Sequence, residues 1–413
     1  MFAALARGGV QGWAVTVIHM MTLLALTFLL VQKSFDWDWT WIKTPLDLPI
    51  AALIILAFFA VIFSSHRSTS FWAVLLLLNY LTIFYLVIHT VRSRAKLRKF
   101  VWLMLGTGIF LALFGLIKFS AIEIFPWFHY EDLPNFGALT STYGNPNHIA
   151  GFFEMAIPLV FGLLLADRRD QKGLVLYLPI ILLFGVALIL SLSRGGWTCT
   201  MVGLVFFLGV LLFSKDFSRY RTVITVTCCS IAAVLVLLSS YPAVQELLTV
   251  RQVLEQAGGV EGRFQVSRAV LVMIRERPLL GFGPGTFPFT FFMFQPPATT
   301  GWYNMAHNDY VHFTAEMGIL LPAIMTWMIV ALFWHGFLKL RSPSLLVRGA
   351  TLGSMAGVLA MLCHSYIDFN LHIPANGLFF TILVALIAAP APKIKKFRRA
   401  NGSVNKGPRI VSI

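Results

Sequence analysis

The stretch between residues 242 and 310 carries Arg251, Arg263, Arg268, Arg275 and Arg277 and contains no lysine. A guanidinium is planar, always charged, and presents a fork of donors that matches phosphate oxygens two at a time. The bias therefore points to phosphate recognition. Ion pairs with Glu246, Glu255, Glu261 and Glu276 are the competing use, which suits Arg275 and Arg277 on either side of Glu276. Arg263 follows Gly258, Gly259 and Gly262, so a ligand can approach it closely. Arg194 interrupts two apolar runs in Ser191-Leu192-Ser193-Arg194-Gly195-Gly196. It either snorkels to water or meets a ligand among those small residues.

A second set of residues can bind polar groups or move protons. Ala306-His307-Asn308-Asp309-Tyr310 stands just before a helical segment that holds Glu316. Imidazole titrates near neutrality, which suits His307 to accept a hydroxyl proton. Gly144-Asn145-Pro146-Asn147-His148 opens an apolar segment. Asn145 and Asn147 fit a capped helix start, and with His148 they also fit a polar ligand. His364 and Asp368 lie one turn apart in another apolar segment, where ionisable groups point to function unless they pair with each other. Two attractive patterns are set aside. Gly281-Phe282-Gly283-Pro284-Gly285 lacks the strand that a nucleotide loop needs and reads as a tight turn. His307, Asp309 and His312 have no further converging ligands, so no metal site is expected.

The elements that must position these groups are membrane helices. The chain has 413 residues, 58% hydrophobic and 12% charged, with a mean hydropathy of +0.79. So much apolar surface exceeds what one aqueous core can hide, and repeated runs of roughly 20 apolar residues suit helices that cross a bilayer. The fold expected is all-α, a polytopic bundle of 11–12 transmembrane helices. Hydropathy places helices at about 13–32, 45–65, 69–91, 100–119, 149–166, 173–193, 196–213, 223–241, 311–338, 347–369 and 373–390. Cys199, Cys228, Cys229 and Cys363 all fall inside apolar runs and read as packing residues.

Charge sets the orientation. From residue 92 onward every second loop is basic: Arg92, Arg94, Lys96, Arg98 and Lys99; Arg168, Arg169 and Lys172; Lys215, Arg219 and Arg221; Lys339, Arg341 and Arg348; and a tail with Lys393, Lys395, Lys396, Arg398 and Arg399. Lysine and arginine collect in cytoplasmic loops, so the net charge of +15 implies orientation and not nucleic acid. The loops 120–148, 192–196, 242–310 and 370–372 then face outward. Counting back puts Met1 outside, whereas Arg7 and the segment Asp36–Trp41 suggest the reverse; twelve helices with both ends inside is the alternative. The outward segment 120–148 holds an aromatic cluster, Trp127 to Tyr130, before Glu131 and Asp132. The segment 242–310 has apolar spacing at Phe264, Val266, Val270, Met273 and Ile274, which predicts a surface helix ended by Pro278. A transmembrane unit, 1–390, would thus include a large, partly helical outward loop at 242–310 and precede a basic cytoplasmic tail, 391–413.

Taken in order, Gly144-Asn145-Pro146-Asn147-His148, Ser193-Arg194-Gly195, Arg263, Glu276-Arg277-Pro278-Leu279-Leu280-Gly281-Phe282-Gly283-Pro284-Gly285 and Ala306-His307-Asn308-Asp309-Tyr310 resemble the O-antigen ligase and polymerase superfamily of bacterial membrane glycosyltransferases. The resemblance spans about residues 100–390. It implies an inner-membrane enzyme that uses an undecaprenyl-diphosphate-linked glycan on the periplasmic side, without cofactor or metal. Carried over position by position, Arg194 and Arg263 hold the diphosphate and His307 addresses the acceptor hydroxyl. Asn145, Asn147, His148, Arg268, Asn308, Asp309 and Tyr310 are then candidate substrate contacts. The acceptor is lipid A core for a ligase, the leading reading, or a growing glycan for a polymerase. Ser267, where many members carry tryptophan, and Val311-His312-Phe313 depart from the family pattern. The rival from another class is a transporter of lipid-linked glycan, which should show related halves; no internal repeat is evident in the sequence.

Overall fold

The computed structural model describes residues 1–120, 137–167, 171–213, 260–296 and 303–391, with scattered positions between 222 and 245. The side chains of residues 171, 172, 174 and 260–264 are not part of that description. The expected helix at 223–241 lies mostly outside it. So do Arg251, the aromatic cluster 127–130 and the tail from 392.

The protein is an all-α polytopic bundle, and no strand occurs among the described residues. Its principal helices are α1 (Gly12–Phe35), α2 (Asp47–Ile62), α3 (Arg67–Thr90), α4 (Arg94–Ser120), α5 (Pro146–Ala166), α6 (Gln171–Leu190), α7 (Arg194–Phe213), α8 (Val260–Glu276), α9 (Asp309–Met317), α10 (Leu320–Lys339), α11 (Leu345–His364) and α12 (Pro374–Ala388). Among the described residues, seven of these are long and apolar enough to cross a membrane: α1, α3, α4, α5, α7, α10 and α11. α2, α12 and Val175–Leu190 of α6 are shorter apolar helices.

Two expected helices end differently. The segment 311–338 is not one helix but α9 and α10, parted at Gly318, whose φ is +77°. Only glycine fits there, because a Cβ would strike the backbone of Leu279. The segment 347–369 stops at His364, so Asp368 is not on the helix with it. The expected outward-loop helix is α8. Val266, Val270 and Met273 bury one face of it against Phe282, Phe287, Phe291, Ala306 and Ala315.

The bundle has two chemically distinct ends. At one, Arg92 pairs with Asp38 at 3.0 Å, and Arg98 grips Asp167 with both guanidinium arms. Lys339 Nζ donates to the carbonyls of Leu386 and Ala389, each at 2.6 Å, closing the last turn of α12 at the same end. The described basic loops therefore gather together. At the other end, Thr142 Oγ1 donates to Ala4 O, Leu139 N to Leu190 O, and Asp309 N to Ser365 O. Gly8 packs on Tyr143 and Ile373 there. The first residues thus sit opposite the basic loops and the Asp36–Trp41 segment sits with them. The count back from residue 92 holds, and the arrangement with both ends on the basic side does not.

α5 is the axis of the bundle. Its side chains from His148 to Leu163 are buried all round, and such a helix has no face left for lipid. α1 and α10, by contrast, are mostly exposed along their apolar length, as lipid-facing helices are. α11 approaches α5 through Gly349, Gly353 and Gly357, one residue per turn on one face. A Cβ at Gly353 would lie 2.6 Å from Pro158 O, and one at Gly357 would lie 2.8 Å from Met155 O. Since backbone cannot swing aside as a long side chain can, Gly353→Leu is expected to cost about 3 kcal/mol. Thermal unfolding in detergent, compared with an exposed control such as Val330→Leu, measures it.

Candidate functional site

The end of the bundle away from the basic loops collects the polar residues singled out by their types and spacing. Asn145 caps α5: its side chain accepts the Asn147 N–H at 2.8 Å, and Pro146 occupies the first helical turn, where its missing N–H costs nothing. This start aims Asn147 at Asp368, which accepts its Nδ2–H at 2.9 Å. Asp368 also accepts the Phe369 N–H and lies 3.5 Å from His307 Nδ1. The Phe369 ring separates two imidazoles, meeting His148 edge-on at 5.1 Å and His307 at 5.0 Å.

His307 adopts φ +52°, a left-handed conformation uncommon outside glycine and one in which asparagine, aspartate and histidine are the enriched residues. Its side chain is 25% exposed, while Nδ1 is buried and faces Asp368. Nε2 is the ring nitrogen that does not face Asp368. The next three residues hold this turn in place. Asn308 Oδ1 caps α9 through the N–H groups of Tyr310 and Val311. Asp309 accepts from His372 Nδ1 at 2.6 Å and from Leu371 N at 3.2 Å. Tyr310 Oη donates to Leu362 O at 2.7 Å. Each of these candidate substrate contacts is thus engaged within the protein, as a buried polar group must be.

Arg194 opens α7. It is exposed, and among the described residues its guanidinium has neither an ion-pair nor a hydrogen-bond partner. Gly195 seats this helix start against the end of α11, where a Cβ would come within 2.9 Å of His364 Nε2 and 2.8 Å of Ile367. Arg194 is therefore held beside the 364–369 segment that carries Asp368. Arg263 lies on α8, its side chain outside the described ones; Arg268 and Arg275 are exposed on the same helix. Arg277 covers the Phe282 ring at 4.8 Å.

The Gly281–Gly285 segment is a tight turn, with φ of +66°, +110° and +73° at its three glycines. Phe282 N and Gly283 N donate to the carbonyls of Ala315 and Glu316, and Ser65 N donates to Phe282 O. The turn ties α9 to the α2–α3 connection and so fixes the helix behind His307.

Glu154 escaped the sequence reading. It is wholly buried on α5 and binds His364 Nδ1 at 2.8 Å, so His364 pairs with Glu154 and not with Asp368. The signal was available: an acid within an apolar helix defaults to a function or a partner. Removing one member of such a pair leaves a buried, uncompensated group, and Glu154→Ala is expected to destabilise the protein by about 3–5 kcal/mol. A fall in the detergent melting temperature would register it.

His372 supplies a pH signature. Burial alone would lower its imidazole, but the Asp309 hydrogen bond and charge together outweigh burial and raise it above the ordinary value of 6.5. The folded state then binds this proton more tightly than the unfolded one. Its contribution to stability is complete below pH 6.5 and is lost as pH rises through the raised value. Asp309→Asn is expected to flatten that dependence in melting curves taken across this range.

Residues 179–328 match the family model described as O-antigen ligase. The chain thus carries a region similar to the O-antigen ligase family. The match bears out the resemblance drawn from the motifs and supports a ligase-like role in glycan transfer, with lipid-linked glycan and acceptor as the general substrate classes. It includes Arg194, Arg263 and His307 and ends before α11, which leads into Asp368. No curated protein matches the chain.

Proposed function

We propose that this protein transfers a glycan from undecaprenyl diphosphate to an acceptor hydroxyl on the periplasmic side of the inner membrane, in the manner of an O-antigen ligase. The observation that carries the reading is the seating of the α7 start, with its unpaired Arg194, against the 364–369 segment whose Asp368 faces His307, at the end opposite the basic loops. By the positive-inside rule that end faces the periplasm. A diphosphate leaves as an anion, and fixed guanidinium groups of Arg194 and Arg263 stabilise the charge as it develops. His307, oriented by Asp368, takes the acceptor proton while the hydroxyl displaces the diphosphate at the anomeric carbon, with inversion. No metal or cofactor takes part in this scheme. The catalytic unit is 1–390 with its outward segment 242–310, and 391–413 is a cytoplasmic tail.

Purified protein in vesicles, given undecaprenyl-diphosphate glycan and alternative acceptors, tests the proposal. Product on lipid A core is the expected result. Lengthened lipid-linked glycan would make the protein a polymerase. Movement of donor across the bilayer without transfer to either acceptor would replace the proposal with transport.

A further inference from the structure

A second polar site lies at the opposite end of the bundle. A cavity of about 490 Å³ is bounded there by Arg94 and Arg98 of α4, Ala166 of α5 and the Pro343–Leu346 entry to α11. Ser344 is the N-cap of α11 and only 6% exposed, yet its hydroxyl makes no capping bond and has no partner among the described residues. A serine at this position ordinarily satisfies an N–H of the first turn. Here the N–H groups of Leu345, Leu346 and Val347 also find no acceptor among the described residues. Free N–H groups at the start of a 20-residue helix, beside a serine hydroxyl that lines the cavity, suit an acceptor with several oxygens.

The surrounding charges give the sign. Arg94 is exposed and has no ion-pair partner among the described residues. Arg98 is already neutralised by Asp167, whose other contact is the Tyr177 hydroxyl. Among the described residues lining the cavity, the net excess is therefore the positive charge of Arg94. The rest of the lining is apolar: Ala95, Ala166, Pro343, Leu345 and Leu346. A cation and free N–H groups over an apolar floor, at the headgroup level of a bundle, suit a phosphodiester attached to acyl chains.

We propose that this cavity binds the phosphate of an anionic phospholipid from the leaflet on the basic side, clasping α4, α5 and α11 together. Arg94 supplies the charge, the Ser344 hydroxyl donates a hydrogen bond, and the first turn of α11 supplies its N–H groups. A ligand that binds only the folded bundle raises its melting temperature.

The test uses the full chain in detergent, titrated with phosphatidylglycerol or phosphatidylcholine and read by native mass spectrometry and by melting temperature. Phosphatidylglycerol is expected to bind and to raise the melting temperature, and phosphatidylcholine is not. Arg94→Gln with Ser344→Ala should weaken phosphatidylglycerol binding about tenfold or more, since charge-assisted bonds are the strong ones. Ser344 makes no cap bond, so its loss leaves the fold intact, and the melting temperature without lipid confirms this. Unchanged binding by the double variant overturns the proposal. So does inorganic phosphate at equal concentration displacing the lipid, which would mark a site for free phosphate.

Discussion

Arg194→Ala is expected to slow glycan transfer by about a hundred- to a thousandfold, the loss typical when one fixed donor to a developing oxyanion is removed. Three features of α7 support so large an effect. Arg194 has no competing partner among the described residues, so its charge is available to a ligand. It opens a 20-residue helix, whose N-terminal end carries its own partial positive charge and favours an anion. Ser193 Oγ accepts the Gly196 N–H at 3.2 Å, which anchors this start of the helix and leaves the N–H groups before it to point outward. Arg194→Lys keeps the charge and loses the fork, so it should recover only part of the rate. Kinetics decide whether the residue acts on the transition state. A fall in kcat is expected; a rise in KM for the donor with kcat unchanged would mean that Arg194 holds the diphosphate equally well before and during the reaction. Melting temperature should stay within error, because the side chain is exposed and has no hydrogen-bond or ion-pair partner among the described residues.

The helices that frame this site were legible because a membrane helix announces itself by length and hydropathy alone. The gathering of alternate loops at one end was legible because lysine and arginine recur in every second loop. What escaped hydropathy was the breaks. Gly318 ends α9 through a positive φ and a close approach to Leu279, and a sliding average over apolar residues passes straight across it. The end of α11 escaped for the same reason, and with it the pairing of His364. The sequence places His364 and Asp368 one turn apart, but long-range packing of α5 and α11 through Gly349, Gly353 and Gly357 sends His364 to Glu154 and Asp368 to Asn147 and His307. Pairing across 210 positions has no local signature. The Ala306–Tyr310 motif was visible as a polar cluster, while the division of labour inside it was not. Asn308, Asp309 and Tyr310 resemble ligand contacts by type, and only the coordinates show them engaged with their own helix, with His372 and with Leu362 O.

His307 gives the second large effect. His307→Ala removes the imidazole but also places alanine at φ +52°, so lost activity would mix chemistry with backbone strain. Asparagine adopts that conformation readily and cannot act as a general base at neutral pH. His307→Asn is therefore the cleaner replacement, and its rate is expected to fall by about a hundred- to ten-thousandfold with little change in melting temperature. The role assigned to Asp368 adds a graded expectation. Its carboxylate faces Nδ1 at 3.5 Å, close enough to orient the ring and to favour the imidazolium that forms when the acceptor proton arrives. Asp368→Asn keeps the shape and loses the charge, so it should fall between wild type and His307→Asn. In the double variant, Asp368→Asn should add almost nothing once His307 is gone, because the two act as a unit. Additive losses would separate them and leave Asp368 as a tether for Asn147 alone. Full transfer by His307→Asn would remove the histidine from the mechanism, and with it the reading of this turn as the place where the acceptor loses its proton.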